Sequence, residues 1–307
     1  MESLRRYALF SVATAVATIL LKAAAWAATG SVALLSDALE SGVNLAAAAF
    51  ALGALVVAAR EADEEHAYGH SKAEYFASAF EGALILVAAA SIGAAALHRL
   101  RDPRPVEEVA LGLSVAAVAG AINLLVARVL LRAGRRHDSI ALEADAHHLL
   151  TDVWTTVGVI AGVALASYTR QAWLDPAIAL LVAVNIVRVG AGLIRRSALG
   201  LLDTALPERV RSGIVAILDE FASQDVQYHA LRTRRAGRWR FISVHVLVPG
   251  HWSVQRGHDL LEQLEARLHA EVPNSTVFTH LEPLEDPVSF QDQQLRRVRE
   301  AGGETSS

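Results

Sequence analysis

The chain has 307 residues, 53% of them from the hydrophobic set and 20% charged, with a formal net charge of -4 and a mean hydropathy of +0.34. Soluble domains carry about 45–50% apolar and about 25% charged residues, so the composition points to lipid and excludes a disordered chain. A pI of about 6.3 offers no basic footprint for nucleic acid, and the absence of cysteine excludes disulfides, thiolate metal sites and Cys nucleophiles.

A membrane helix needs about 20 mostly apolar residues. Six stretches qualify, over 7–28, 32–59, 75–97, 109–131, 143–167 and 173–194. They are separated by a Gly30-Ser31 break, an acidic run, a turn over 102–105, a basic run and a short polar turn over 168–171. The first stretch is too long for a cleavable signal and runs straight into the second. With six spans both ends share one side; eleven Lys and Arg near the span ends lie on that side and four on the other. The positive-inside rule then puts both termini in the cytoplasm.

From about Leu206 the pattern changes. Pro207-Glu208 opens an amphipathic helix reaching about Ser223, with Val210, Ile214, Ile217, Leu218 and Phe221 on one stripe. Two β-rich runs follow, 228–233 and 240–248, joined by a turn around Ala236-Gly237. A second helix is expected over 253–270 and a last strand over 276–281. The order αββαβ predicts a small α+β domain, one sheet backed by two helices. The expected organisation is a membrane all-α domain of six helices over 1–204, a cytoplasmic α+β domain over 205–288, and a disordered polar tail over 289–307.

Ionisable groups inside spans are expensive in hydrocarbon, so each needs a partner or a water-filled path. The second span carries Asp37, Glu40 and Asn44; the third carries Glu81; the fifth carries Asp145, His147, His148 and Asp152. Glu40 and Asn44 are four residues apart and share one helix face, and His148 and Asp152 stand in the same relation. Two such helices facing each other offer an imidazole, two carboxylates and an amide oxygen to one point. That is a four-ligand site for a divalent transition metal. Asp63, His66 and His70 lie in the loop after the second span and read either as a solvated acidic run or as a second, looser site. His229, His245 and His280 fall one on each predicted strand, with Glu282 two residues beyond the last, a zinc-type donor set if the strands converge.

The run Gly30-Ser-Val-Ala-Leu-Leu-Ser-Asp-Ala-Leu-Glu-Ser-Gly-Val-Asn44, the run His66-Ala-Tyr-Gly-His-Ser-Lys-Ala-Glu74 and the run Ala144-Asp-Ala-His-His-Leu-Leu-Thr-Asp152 resemble the cation diffusion facilitator family of divalent-metal transporters. The resemblance covers about residues 5–285. It implies a homodimer in the cell membrane that exports metal ions in exchange for protons, with a ferredoxin-like, metallochaperone-like cytoplasmic domain and no enzymatic activity or catalytic cofactor. The family's transport site falls on Glu40, Asn44, His148 and Asp152, and its loop site on Asp63, His66 and His70. Its cytoplasmic site falls on His229, His245, His280 and Glu282, with His258 at a position that adds a ligand in some members. A charge interlock near the dimer two-fold maps to Lys72 and Asp203. Asn44 stands where zinc members usually have Asp, and three oxygen donors beside one nitrogen leave Cd, Fe, Co and Mn open beside Zn. Two other readings fit the buried ligands less well. An intramembrane metallohydrolase lacks a His-Glu-x-x-His motif, and a membrane metal sensor or adaptor has no use for paired ligands in two spans.

Overall fold

The computed structural model describes residues 2–29, 32–101, 109–171 and 173–290. The Gly30-Ser31 break, the turn expected over 102–105 and the tail from 291 lie outside the described residues. The chain divides into two compact units, 1–202 and 203–307.

The first unit is a set of six helices: α1 (Glu2–Thr29), α2 (Val32–Ala58), α3 (Ala73–Arg101), α4 (Val109–His137), α5 (Ile140–Thr169) and α6 (Leu174–Leu201). At 1.5 Å per residue each runs about 40 Å, enough to cross a hydrocarbon layer about 30 Å thick. Among the described residues, α1, α3, α4 and α6 each hold a continuous stretch apolar enough to do so by composition. In α5 the polar residues Glu143, Asp145, His147, His148 and Asp152 fall in the first half of the helix, and the second half is apolar in sequence. In α2 the described apolar stretch is the shorter Asn44–Ala58.

Small residues set how closely these helices pack, as expected where lipid supplies no hydrophobic drive between them. A Cβ added to Gly82 of α3 would lie 3.1 Å from the Gly190 carbonyl oxygen of α6, and one on Gly200 would lie 2.3 Å from the Tyr75 ring. Around α4 and α5, Ala127, Ala133, Ala141 and Ala146 are buried with Leu130 and Leu142. The start of α5 is pinned from outside. Ser139 caps it by accepting from the Leu142 N–H, and the Ser139 hydroxyl donates to the buried Glu74 carboxylate of α3 at 2.5 Å. Glu74 also accepts from the Ala141 N–H at 3.4 Å, a carboxylate at the positive end of the helix.

The second unit runs α7 (Glu208–Phe221), β1 (Gln227–Ala236), β2 (Trp239–Val248), α8 (Val254–Glu271) and β3 (Ser275–Pro283). This is the expected αββαβ order. The sheet order is β1-β2-β3; β1 and β2 pair antiparallel, and α8 supplies the crossover that lets β3 pair parallel to β2. Ile242, Val244, Val246 and Val248 share one face of β2 and bury against Ile214, Ile217 and Leu218 of α7 and Leu264 and Leu268 of α8. By strand alternation His245 projects from the opposite face. A 3₁₀ turn over Pro287–Phe290 follows. Its Ser289 is buried and donates to the Pro283 carbonyl at 2.8 Å, so the segment expected as a tail from 289 begins with a docked turn.

Candidate metal sites

Within the helical unit, α2 and α5 bring three sequence-predicted ligands together. His148 Nε2–H donates to Asn44 Oδ1 at 2.8 Å, and Asn44 Nδ2 donates to Asp152 Oδ2 at 2.5 Å. His148 is 6% exposed. The asparagine therefore bridges the two α5 groups, which lie one turn apart on the same face. A metal ligand nitrogen must be free of its proton, so binding a cation through His148 Nε2 would break its bond to Asn44. The side chains of Glu40 and Asp37 lie outside the described residues.

Two residues at this site were not singled out in the sequence. Asn123 of α4 donates to Asp152 Oδ2 at 3.2 Å and is buried. It donates to the same carboxylate oxygen as Asn44, a role common for groups behind a metal ligand. Lys22 of α1 donates to Ser41 Oγ at 2.8 Å and lines, with Asn44, Asn123, Asp152, Thr155 and Thr156, a cavity of about 40 Å³. A lone amide in the apolar run of the fourth span was the available signal for Asn123. Nearby, Glu81 of α3 and Asp145 of α5 are buried as well. Neither Glu81 carboxyl oxygen has a hydrogen-bond partner among the described residues.

In the loop after α2, Asp63 gathers both histidines. Its Oδ1 is 3.1 Å from His66 Nδ1 and its Oδ2 is 3.3 Å from His70 Nε2. The His66 backbone N–H donates to Asp63 at 2.7 Å. That bond, followed by the nearby imidazoles, holds the carboxyl below its ordinary range despite some desolvation. One donor atom from each of the three residues lies within 4.8 Å of the others.

The sheet cluster is built by register. His229 pairs with His245 across β1 and β2, and His245 pairs with His280 across β2 and β3, so the three imidazoles form one row. Ring centroids are 5.1 Å apart for the first pair and 5.0 Å for the second. Glu282 closes the row: His229 Nε2–H donates to its Oε2 at 2.8 Å, and its Oε1 lies 3.3 Å from His245 Nδ1 and 3.5 Å from His280 Nε2. A bulge in β1, where Ala230 and Leu231 together oppose Val244, follows His229 directly. Ala230 there takes φ 51°, and such bulges re-aim a side chain beside a site. His229, His245 and Glu282 have donors within 4.8 Å of one another. His280 is 64% exposed at the end of the row, and His258 sits on α8 with Nε2 3.9 Å from Glu262, outside that group. Asp203 pairs with Arg234 at 3.3 Å, while Lys72 belongs to the helical unit.

The family model for the cation efflux transmembrane domain matches residues 8–202, and the one for the cation efflux protein cytoplasmic domain matches residues 206–284. The chain belongs to the cation diffusion facilitator family. Among curated relatives of this facilitator, an uncharacterised transporter of Synechocystis sp. is 53% identical over 287 residues, 94% of this chain and 93% of its own. The cation-efflux pump FieF of Shewanella oneidensis is 32% identical, covering 90% of this chain and 92% of its own. FieF of Yersinia pestis is 33% identical, covering 88% and 90%. A solved CzrB structure is 34% identical over 25% of this chain and 96% of its own, at a TM-score of 0.24. As a family member this facilitator is a multi-pass membrane protein of metal-cation efflux.

Proposed function

We propose that this facilitator exports a divalent transition metal, zinc foremost, from the cytoplasm in exchange for protons, working as a homodimer in the cell membrane with both termini cytoplasmic. The observation that carries the reading is the hydrogen-bonded chain His148–Asn44–Asp152 between two helices inside the first unit. These groups offer imidazole, amide oxygen and carboxylate to one cation, and Glu40, one turn before Asn44 on α2, is the fourth donor. Three oxygens and one nitrogen also suit Cd, Fe, Co and Mn. A proton and a metal compete for the same His148 nitrogen, so an inward proton gradient favours release on the far side once the bundle changes its opening. The second unit supports the dimer through its match to a dimer-forming cytoplasmic domain. There, metal held by the row His229, His245, His280 and Glu282, with His258, serves as a regulator, and Asp63, His66 and His70 are a further loop site.

Proteoliposomes challenged with Zn, Cd, Fe, Co and Mn, with and without a pH gradient, test the reading. Zinc flux that rises with an inward proton gradient is the expected result. Flux indifferent to the gradient for every metal overturns the exchange.

A further inference from the structure

Away from the transport cluster, a groove of about 360 Å³ runs between α5 and α6. Its polar lining is one-sided in charge: His147 on α5, and Arg188, Arg195 and Arg196 on α6. Arg188, Gly192 and Arg195 follow one another at i, i+4 and i+7 and so share a helix face. Gly192 is the gap between them, since a Cβ placed there meets no atom within 4 Å. Arg196 is committed to Glu143 at 2.9 Å. Arg188 and Arg195 are exposed, and among the described residues no carboxylate pairs with either.

Depth makes this arrangement informative. Arg188 stands thirteen residues before Leu201, the last residue of α6, about 20 Å along the axis at 1.5 Å per residue. Its backbone also lies six residues, about 9 Å, inside the end of the apolar stretch 173–194, where a long side chain can still reach the headgroup layer. A guanidinium held at the backbone's own depth is costly unless an anion or water reaches it. A second copy of the chain meeting the groove on a two-fold axis would oppose Arg188 and Arg195 to like charges. An apolar helix would leave both cations unpaired. The occupant that matches the charge and comes from the bilayer itself is an anionic lipid.

We propose that this groove binds the phosphodiester headgroup of an anionic phospholipid. Arg188 and Arg195 donate to the phosphate oxygens in the forked geometry that guanidinium favours. Glu143 fixes Arg196 at the rim, and Gly192 leaves room for the headgroup. Because the groove is walled by both helices, an occupied groove ties α6 to α5.

The test is thermal unfolding and light scattering of the full-length protein in detergent, with added phosphatidylglycerol, phosphatidylcholine or inorganic phosphate. Phosphatidylglycerol should raise the melting temperature by several degrees over phosphatidylcholine, and inorganic phosphate should not. The pair Arg188→Gln with Arg195→Gln should abolish that difference. Gly192→Leu, which fills the groove and keeps every charge, should abolish it too and carries the test if the arginine pair fails to fold. Arg5→Gln with Arg6→Gln removes the same charge elsewhere and should preserve the difference. The proposal is overturned if the phosphatidylglycerol effect survives Gly192→Leu, or if inorganic phosphate alone reproduces it. Equal loss in the Arg5 and Arg6 pair, or a change of oligomeric state in the groove variants without any lipid effect, overturns it as well.

Discussion

The helical cluster and the sheet cluster gather similar donors by different means. In α5, His148 and Asp152 are held on one face by the helix itself, and the partner helix α2 only has to present Asn44. In the sheet, no local rule joins His229, His245 and His280. Their row exists because β1, β2 and β3 pair in one register, and a slip of one residue would send every other imidazole to the opposite face. The helical site is therefore robust to small shifts along the chain but sensitive to helix packing. The sheet site is the reverse.

Breaking the first site should have the largest effect. Asp152→Ala removes a carboxylate that both Asn44 and Asn123 donate to. It should abolish metal flux in proteoliposomes while the sheet site still binds metal, and wild-type flux in this variant would remove Asp152 from the mechanism. The converse change is Glu282→Ala, which takes away the carboxylate that accepts from His229 and lies within 3.5 Å of His245 and His280. Metal affinity of that site should fall by roughly 10–100-fold on the scale of lost metal-site partners. Titration calorimetry reads the loss, which should spare the intramembrane site.

Finer changes sharpen the contrast. Asn123→Ala leaves the intramembrane donors present but takes away one hydrogen bond behind Asp152. If this cluster carries the transported metal as proposed, a drop of roughly 10-fold in its affinity is expected, measured as the metal concentration giving half-maximal flux. Gly200→Ala drives a methyl into the Tyr75 ring and should cost about 1–3 kcal/mol by overpacking. Thermal unfolding reads it, and α3 and α6, not the sheet, are the elements that must give way. The smallest effect belongs to the sheet edge. Tyr228 donates to Asp219, and that bond foremost, with partial burial and the Asp219 charge, pushes its phenol up to about 12. The folded state therefore favours the protonated phenol. The stabilisation is complete below the ordinary tyrosine range near 10 and is lost as pH rises through about 12. Water around this partly exposed pair holds it to under about 1 kcal/mol. Between pH 10 and 12 the wild type should lose slightly more stability than Tyr228→Phe; equal slopes would show that the bond contributes nothing.

Most of the architecture could be read before any coordinates. The helical periods, the αββαβ order and the paired ligands of α5 follow from residue spacing alone, and the strands came out only a few residues longer than expected. The docked turn at Pro287–Phe290 was missed because its anchor, the Ser289 hydroxyl on the Pro283 carbonyl, is a tertiary contact made by an otherwise polar segment. Asn123 was missed because one amide on α4 says nothing about which way that helix faces. The arginines of α6 were visible as charges near a span end. Their meeting with His147 across a groove was not.

What this sequence determined by itself is everything set by the chain's own repeat. Which stretches are helical, which residues share a face one turn apart, and which segment must leave the membrane all depend on neighbours within a few residues. What the tertiary structure alone decided is which faces meet. Asn44 reaches His148, Asn123 reaches Asp152, and three histidines fall into register, because glycine and alanine contacts set the helix approach and backbone pairing sets the strands. Those distances depend on residues far apart in the chain, and no local period encodes them.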